Sequence, residues 1–404
     1  MKTLEQALNK INGIRKTQKK FIFILVQGLI GVTGKRNFRN MARFMELDEH
    51  TFSRQMAKFF DFTKLNLQLI LNFKKTTAVW IAAQDDTFIP KSGKNTFGLN
   101  FFWNGSSSKV EKGLELDVIA VIKVDTDKKE AFTLSAKQTL SKKNITQEII
   151  TKIDFCIEHV KNVIEKLKAL GVKYMVADAF FAKVTYVNGI TKLGLHVISK
   201  FRKDARFRYL CTDKPKRRGR PKKYNDRKFS VDDFNEAEVI KIENDNIELR
   251  SLILYSIALK RNVKVVLVKK MDKNKYGQAL LFSTDTQLDA LNVYQFYVAR
   301  FQIEFIFRDA KGFAGLADCQ SQEATRLDFH FNASLLAVNI IRLQDAHLQQ
   351  EQKVDRPFSI MNWHRQYYVE IVLNRFIAMF DLSRDVIKSH PDYQNMLGFG
   401  NVKY

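Results

Sequence analysis

Residues 78–89 read AVWIAAQDDTFI. Six apolar residues run without interruption into a glutamine and then two adjacent carboxylates. A continuous apolar run of this length predicts a strand buried on both faces, as in the centre of an α/β sheet. Acids at the end of such a strand are costly unless a cation or a hydrogen-bond network receives them. The neighbouring segments fit the same sheet. GLELDVIAVIKVD (113–125) and EAFTLSAKQTL (130–140) are strand-like and separated by the turn-prone DTDKKE. ITQEIITKIDFCIEHVKNVIEKLKALG (145–171) has helical spacing and ends on Gly171, a suitable C-terminal cap. YMVADAFFAK (174–183) is a short buried strand that runs into a loop, and LHVISKFR (195–202) is another strand. Three strands, a helix, a strand, a helical turn and a strand predict a mixed α/β domain.

YMVADAFFAK supplies a second strand-end acid, Asp178. A third stands in YVARFQIEFIFRDAK (297–311), which predicts a helix. At about 100° per residue, Tyr297, Arg300, Glu304 and Lys311 share one face, within about 60°, and Ile303, Ile306, Phe307 and Ala310 form a separate apolar stripe. One carboxylate among an arginine, a lysine and a phenol suits a cation-bound phosphate, the acid holding metal and the others holding phosphate oxygens. Two-metal phosphoryl transfer needs several hard oxygen ligands. The strand-end acids of the 78–89 segment and Asp178 are the natural partners of Glu304. Glu115 and Asp117 are further candidate carboxylates, read either as surface residues or as residues that support the site from behind.

The chain has 404 residues and a formal net charge of +24. Such an excess of Lys and Arg implies a polyanionic partner, foremost nucleic acid. Three separated cysteines, with no CxxC pair, exclude a disulfide framework and a zinc cluster. The longest apolar run, FIFILVQGLIGVT (21–33), is too short to span a bilayer, and residues 1–16 lack the pattern of a signal peptide. A cytoplasmic protein with no membrane partner is expected.

Residues 1–75 read as helical and strongly basic. Within them NFRNMARFMELDEHTFSRQMAKFF (37–60) suggests two short helices with a break at Leu47-Asp48, Asp48 capping the second. The second helix would display Arg54 and Lys58, in the manner of a helix-turn-helix. KRRGRPKKY (216–224) resembles an AT-hook core, in which Arg218, Arg220 and Lys222 would enter the minor groove or touch backbone phosphates. Around it, 201–288 form a basic linker and a β-rich insertion with strands at 238–244, 247–259, 262–272 and 278–284.

Taken together, Asp86-Thr87, Asp178-Ala179-Phe180-Phe181 and Tyr297-x2-Arg300-x3-Glu304-x6-Lys311 resemble the DDE transposases of the insertion-sequence-four family. The similarity extends from about Thr77 to Gln344 and includes the β-rich insertion; SGKNTFGLNFFWNGSSSKVEKGLE (92–115) resembles a loop common among members. The resemblance implies an RNase-H-like core. Residues 1–75 would be a DNA-binding region, 76–200 and 289–345 the two parts of the catalytic core, 201–288 the insertion, and 346–404 a helical C-terminal region with a role in dimerisation. Asp86, Asp178 and Glu304 would bind two Mg2+ or Mn2+ ions. One would activate a water or a 3′-hydroxyl, the other would stabilise the leaving oxygen. Asp86 is preferred to Asp85 because the family places Thr directly after the acid. Tyr297, Arg300 and Lys311 would hold DNA phosphates. Members cut double-stranded DNA at transposon terminal inverted repeats, commonly through hairpin ends, and join the 3′ ends to target DNA as a homodimer in a synaptic complex. A bacterial, nucleoid-associated protein is implied. The alternatives are a catalytically silent transposase-derived DNA-binding protein and a metal-dependent nuclease without strand transfer.

Overall fold

A computed structural model describes residues 2–74, 78–125, 129–139, 151–211, 224–242, 246–272, 275–354 and 356–402. The apolar run becomes strand β1 (Val79–Pro90), with β2 (Asn100–Asn104), β3 (Lys109–Val124) and β4 (Lys129–Gln138) following. After helix α6 (Lys152–Ala169) come β5 (Tyr174–Ala177), α7 (Val184–Lys192) and β6 (His196–Phe201). On one side of β1, β3 pairs with it antiparallel and β4 pairs antiparallel with β3; on the other, β5 pairs with it parallel and β6 parallel with β5. This mixed sheet flanked by helices is an RNase-H-like α/β arrangement, as the sequence leads one to expect. The acids, however, do not end β1. The strand continues past Asp85 and Asp86 to Pro90, because β3 pairs with it along its whole length. The segment at 92–115, expected as a loop, contains β2 and the root of β3.

Gly171 ends α6 as expected, with φ +71 and its N–H bonded to the Lys168 carbonyl. The expected helix before Lys152 lies outside the described residues. The insertion supplies β7 (Phe207–Leu210), β8 (Tyr224–Lys228), β9 (Val239–Ile242), β10 (Ile247–Ser256), β11 (Arg261–Asp272) and β12 (Lys275–Ser283). It is not a separate sheet. Antiparallel pairing of β12 with β6 extends the central sheet to twelve strands.

The remaining helices are α1 (Lys2–Lys10), α2 (Lys16–Gly31), α3 (Phe38–Phe44), α4 (Glu49–Met56) and α5 (Phe62–Phe73) before the sheet, and α8 (Ala290–Ala299), α9 (Gln302–Phe313), α10 (Ala324–Gln352), α11 (Ile360–Met379), α12 (Arg384–Ser389) and α13 (Pro391–Leu397) after it. Helix α10 is buried all round from Phe329 to Ile341, as a helix enclosed by other elements must be. It runs straight through the boundary drawn at 345. Helix α2 packs on both α10 and α11, so the helices before the sheet share one helical body with those that follow α9.

That body also closes the open edge of the sheet. Asn339 of α10 accepts the Thr133 N–H (2.9 Å) and donates to the Thr133 carbonyl (2.8 Å) and to Asn66 Oδ1 of α5 (3.0 Å). Asn66 donates to the Leu134 carbonyl, Asn332 to that of Ala136 and Arg342 to that of Ala131. An unpaired strand edge is a pairing hazard; here side-chain amides stand in for the missing strand.

Candidate active site

The positions of the acids follow from parallel register. The last paired residues of β1 and β5 are Gln84 and Ala177. One step further, Asp85 and Asp178 stand side by side on the same face of the sheet, since in-register neighbours on adjacent strands point the same way. Asp86, one residue on, points to the other face. Asp178 also caps a short 3-10 turn (Ala179–Phe181), accepting the Phe180 N–H at 2.8 Å.

Helices α8 and α9 bring the third acid. YVARFQIEFIFRDAK is not one helix: it turns at Arg300-Phe301, where i→i+3 bonds replace the regular ladder, although both residues keep right-handed helical angles. No Pro or Gly marks the turn in the sequence. At the turn Arg300 reaches Asp85 Oδ2 at 2.7 Å and Glu304 Oε1 at 3.3 Å. Its guanidinium carbon lies 5.8 Å from the centroid of the half-buried Tyr297 ring. Asp85, Asp86, Asp178, Arg300, Glu304 and Lys311 line one cavity of about 890 Å³.

Electrostatics tie the group together. Burial pushes the Asp85 carboxyl up to about 7; Arg300 pulls against this, and Asp178 and Glu304 add to the rise. Burial works against the Arg300 charge, but Asp85, Tyr297, Glu304 and Asp178 outweigh it and raise its pKa. Burial lowers the Lys311 ammonium. Arg300 thus bridges carboxylates from β1 and α9. Three acids that converge on a single guanidinium, one of them driven toward neutrality, fit a place for divalent cations.

The sequence reading prefers Asp86 to Asp85. The side chains divide otherwise: Asp85 joins Asp178 and Glu304, and Asp86 turns toward α6 and β3. Lys152 Nζ lies 2.6 Å from Asp86 Oδ2 and 2.8 Å from Glu115 Oε1. Burial, then Asp117, raises the Asp86 pKa well above the usual range despite Lys152. Burial lowers the Lys152 ammonium, but Asp86 and Glu115 overcome this and raise it. Of the two readings of Glu115 and Asp117, surface residue or support from behind the site, burial of both excludes the first. Asp117 accepts two bonds from Gln84 Nε2 (3.0 and 2.8 Å) and lies 2.6 Å from His159 Nδ1, whose Nε2 lies 2.8 Å from Ser135 Oγ. Tyr186 donates to Gln84 Oε1 at 2.7 Å.

One oxygen each from Asp86 and Asp117 and the Cys156 sulfur lie within 4.8 Å of one another, an acidic cluster with metal-ligand spacing. Its donors suit a hard cation poorly. The Cys156 thiol is pushed far up by burial, Asp117 is already engaged, and Lys152 neutralises Asp86. The Ser135–His159–Asp117 chain has the order of a nucleophilic triad, yet all three are buried. This network instead anchors the reverse face of β1 behind Asp85. The alternation of acids in Glu115-Leu116-Asp117 carried the signal for it.

The remaining expected residues lie elsewhere. Asp48 caps α4 as expected, accepting the Thr51 N–H at 2.8 Å. Arg54 and Lys58 are exposed and do not line the acidic cavity. Arg218, Arg220 and Lys222 lie outside the described residues.

Carboxylates gathered just past the parallel pairing of β1 and β5 in an RNase-H-like sheet suit cation-assisted phosphodiester chemistry. The family model described as DDE superfamily endonuclease matches residues 3–251, and the chain belongs to this family. Membership implies DNA as substrate and dependence on a divalent cation. The match contains Asp85, Asp86 and Asp178 and ends before α8, so it does not cover Glu304. No curated protein matches the chain. Among the described residues, no helix is long and apolar enough to cross a membrane.

Proposed function

We propose that the chain is a cut-and-paste DNA transposase of the insertion-sequence-four type, with Asp85, Asp178 and Glu304 as its metal-binding carboxylates. The observation that carries the reading is the register that sets Asp85 beside Asp178 under the helix bearing Glu304. Two Mg2+ or Mn2+ ions, when bound, supply the Lewis acidity that in-line displacement at phosphorus requires. The protein's own residues do the rest. Asp85 and Asp178 hold hard oxygens at fixed spacing on a rigid sheet. Arg300, released from the carboxylates, is placed to pair with a phosphate, for which its planar fork is suited. Lys311 adds charge from the same helix face as Glu304, and Tyr297 supports Arg300 from below. Arg54 and Lys58 on α4, and the 216–224 segment, are assigned to DNA outside the cleavage site. Strand transfer by a 3′-hydroxyl, hairpin ends and a homodimer that holds two transposon ends belong to the same proposal.

The experiment is Glu304→Gln in the full chain. Binding of supercoiled plasmid persists, and Mg2+-dependent nicking disappears; unchanged nicking by purified variant refutes the site. The family's description as an endonuclease favours a second reading, cleavage without joining. Transfer of a 3′-labelled transposon end into plasmid separates the two: label in the plasmid supports the transposase, and cleavage without transfer supports the nuclease.

A further inference from the structure

Helix α9 faces a second cavity on its other side. Glu304 and Lys311 line the carboxylate cavity; Phe305 and Asp309 line the other, of about 580 Å³, together with residues of β4, α10 and the segment that leads into α11. Asp309 stands about 140° around the helix from Glu304, so the two cavities are distinct. Arg308 lies on the ridge between them and lines both.

Charge in the second cavity does not balance. Asp309 is buried, and two guanidiniums share it. Arg308 Nε and Nη2 lie 3.1 and 3.0 Å from Oδ1, and Arg342 Nη2 lies 2.9 Å from Oδ2. Arg342 Nη1 donates to the Ala131 carbonyl at 3.3 Å, and its Nε is buried without a hydrogen-bond partner among the described residues. The Arg342 side chain is only 12% exposed. A buried guanidinium is costly unless opposite charge compensates it in full. Burial lowers the Arg342 pKa, Asp309 restores it only in part, and Arg308 lowers it further. The other acids are engaged. Asp345 accepts from Arg356 Nη2 at 2.7 Å, Trp363 Nε1 at 2.9 Å and Gln349 Nε2 at 2.6 Å, and Glu130 pairs with Lys123 at 3.4 Å. The cavity is therefore short of negative charge.

Aromatic rings hold the arginines in place. The guanidinium carbon of Arg308 lies 4.9 Å from the Phe305 ring centroid, and that of Arg342 lies 5.3 Å from the Phe358 centroid. A guanidinium fixed by a ring face and by a carboxylate at one edge is preorganised to offer its remaining N–H groups to a phosphate.

We propose that this cavity binds a small phosphorylated ligand of nucleotide size, with Arg308 and Arg342 sharing its phosphate and Arg356 closing over it from the side of α11. DNA carries the same chemical group, but a duplex backbone reaches exposed cations, whereas Arg342 sits inside the cavity between α9 and α10. A free anion fits there, and the volume lies within the range of about 300–1,000 Å³ common to small-molecule sites. A bound ligand holds Arg308 on this side of α9, away from Glu304, and so couples its occupancy to the cleavage site. The inference goes beyond the proposed function and does not depend on which acids hold the cations.

The test is calorimetric titration of the full chain, in EDTA and at physiological salt, with AMP and with pyrophosphate. The parent binds one equivalent of AMP, and pyrophosphate displaces it. Arg342→Gln and Arg308→Gln each weaken AMP binding by about 10- to 100-fold, as loss of a charge-assisted bond requires. Arg308 is 67% exposed, so its variant tests the site even if Arg342→Gln does not fold. Lys161→Gln removes an equal charge from the exposed side of α6 and leaves AMP binding as it was. The proposal is overturned if the parent shows no saturable AMP binding, if pyrophosphate does not compete, or if the Arg308 variant binds AMP as the parent does. It is also overturned if Lys161→Gln weakens AMP binding as much as Arg308→Gln, which would mean general attraction to a chain of net charge +24. Arginine variants that weaken binding of a blunt DNA duplex and leave AMP binding unaltered assign the phosphate to DNA and overturn the free ligand.

Discussion

Replacing each of the adjacent aspartates separately by asparagine tests which one holds the cation. The Asp85 carboxyl moves from 3.8 to about 7 in the folded chain. Each pKa unit corresponds to about 1.36 kcal/mol, so the ionised group destabilises the metal-free fold by about 4 kcal/mol. The sign follows from proton binding. The unfolded chain releases this proton near pH 3.8 and the folded chain only near 7. Stability therefore falls across that window and stays low above it. Asp85→Asn removes the penalty. Arg300 keeps Glu304 as a partner, so much of the gain survives, and at pH 8 in EDTA the variant should melt above the parent. The parent should gain about 2.7 kcal/mol from Mg2+ at a hundredfold excess over Kd; Asp85→Asn should gain none and should not nick plasmid. Asp86→Asn should keep the Mg2+ gain, because Asp86 faces Lys152, and should lose about 10- to 100-fold in nicking through a displaced strand. Scanning fluorimetry with and without Mg2+, alongside nicking, reads all of this. An Asp85→Asn chain that retains the Mg2+ shift, with the shift lost in Asp86→Asn, refutes the reasoning and moves the cation to the Asp86–Asp117 cluster.

Other predictions concern DNA contact, the sheet edge and pH. Lys311→Ala should weaken DNA binding and make the slope of log K against log salt shallower by about one unit, as loss of one phosphate contact requires; anisotropy titrations across salt concentrations measure it. Asn339→Ala strands the Thr133 N–H and carbonyl and Asn66 Oδ1, and should cost about 3 kcal/mol, seen as a lower urea midpoint at constant slope. His330 is buried with Nε2 donating to the Gly315 carbonyl at 2.7 Å, and burial pushes its pKa below the usual value. The unfolded chain then binds the extra proton, so the contribution of His330 is complete above about pH 6.5 and declines as pH falls below it. Urea unfolding at pH 5 and 7.5 should show a smaller loss in His330→Gln than in the parent.

Particular elements show how far the sequence carries. The apolar run before Asp85 marked a central strand, and Gly171 and Asp48 marked a helix end and a helix start, because these signals are local. Tyr297, Arg300 and Glu304 were recognisable from spacing, since helical angles persist even through the turn at Arg300. The insertion's strands were legible from alternation, but their union with the main sheet was not: β12 pairs with β6 across some eighty intervening residues, and nothing within either strand names the partner. The buried chain from Ser135 to Tyr186 was missed for the same reason. Its members stand on three strands and two helices.

By itself, the sequence determined the alternation of elements, the charge that calls for a polyanion, and the three segments that bring acids to the site. Tertiary structure alone decided which of two adjacent aspartates joins them. Neighbouring residues on a strand point to opposite faces, so a pairing offset of one residue between β1 and β5 exchanges Asp85 for Asp86. That offset is set by packing between distant segments: the helices on both faces and the buried anchor around Asp117 hold β1 in the one register that turns Asp85 toward Asp178.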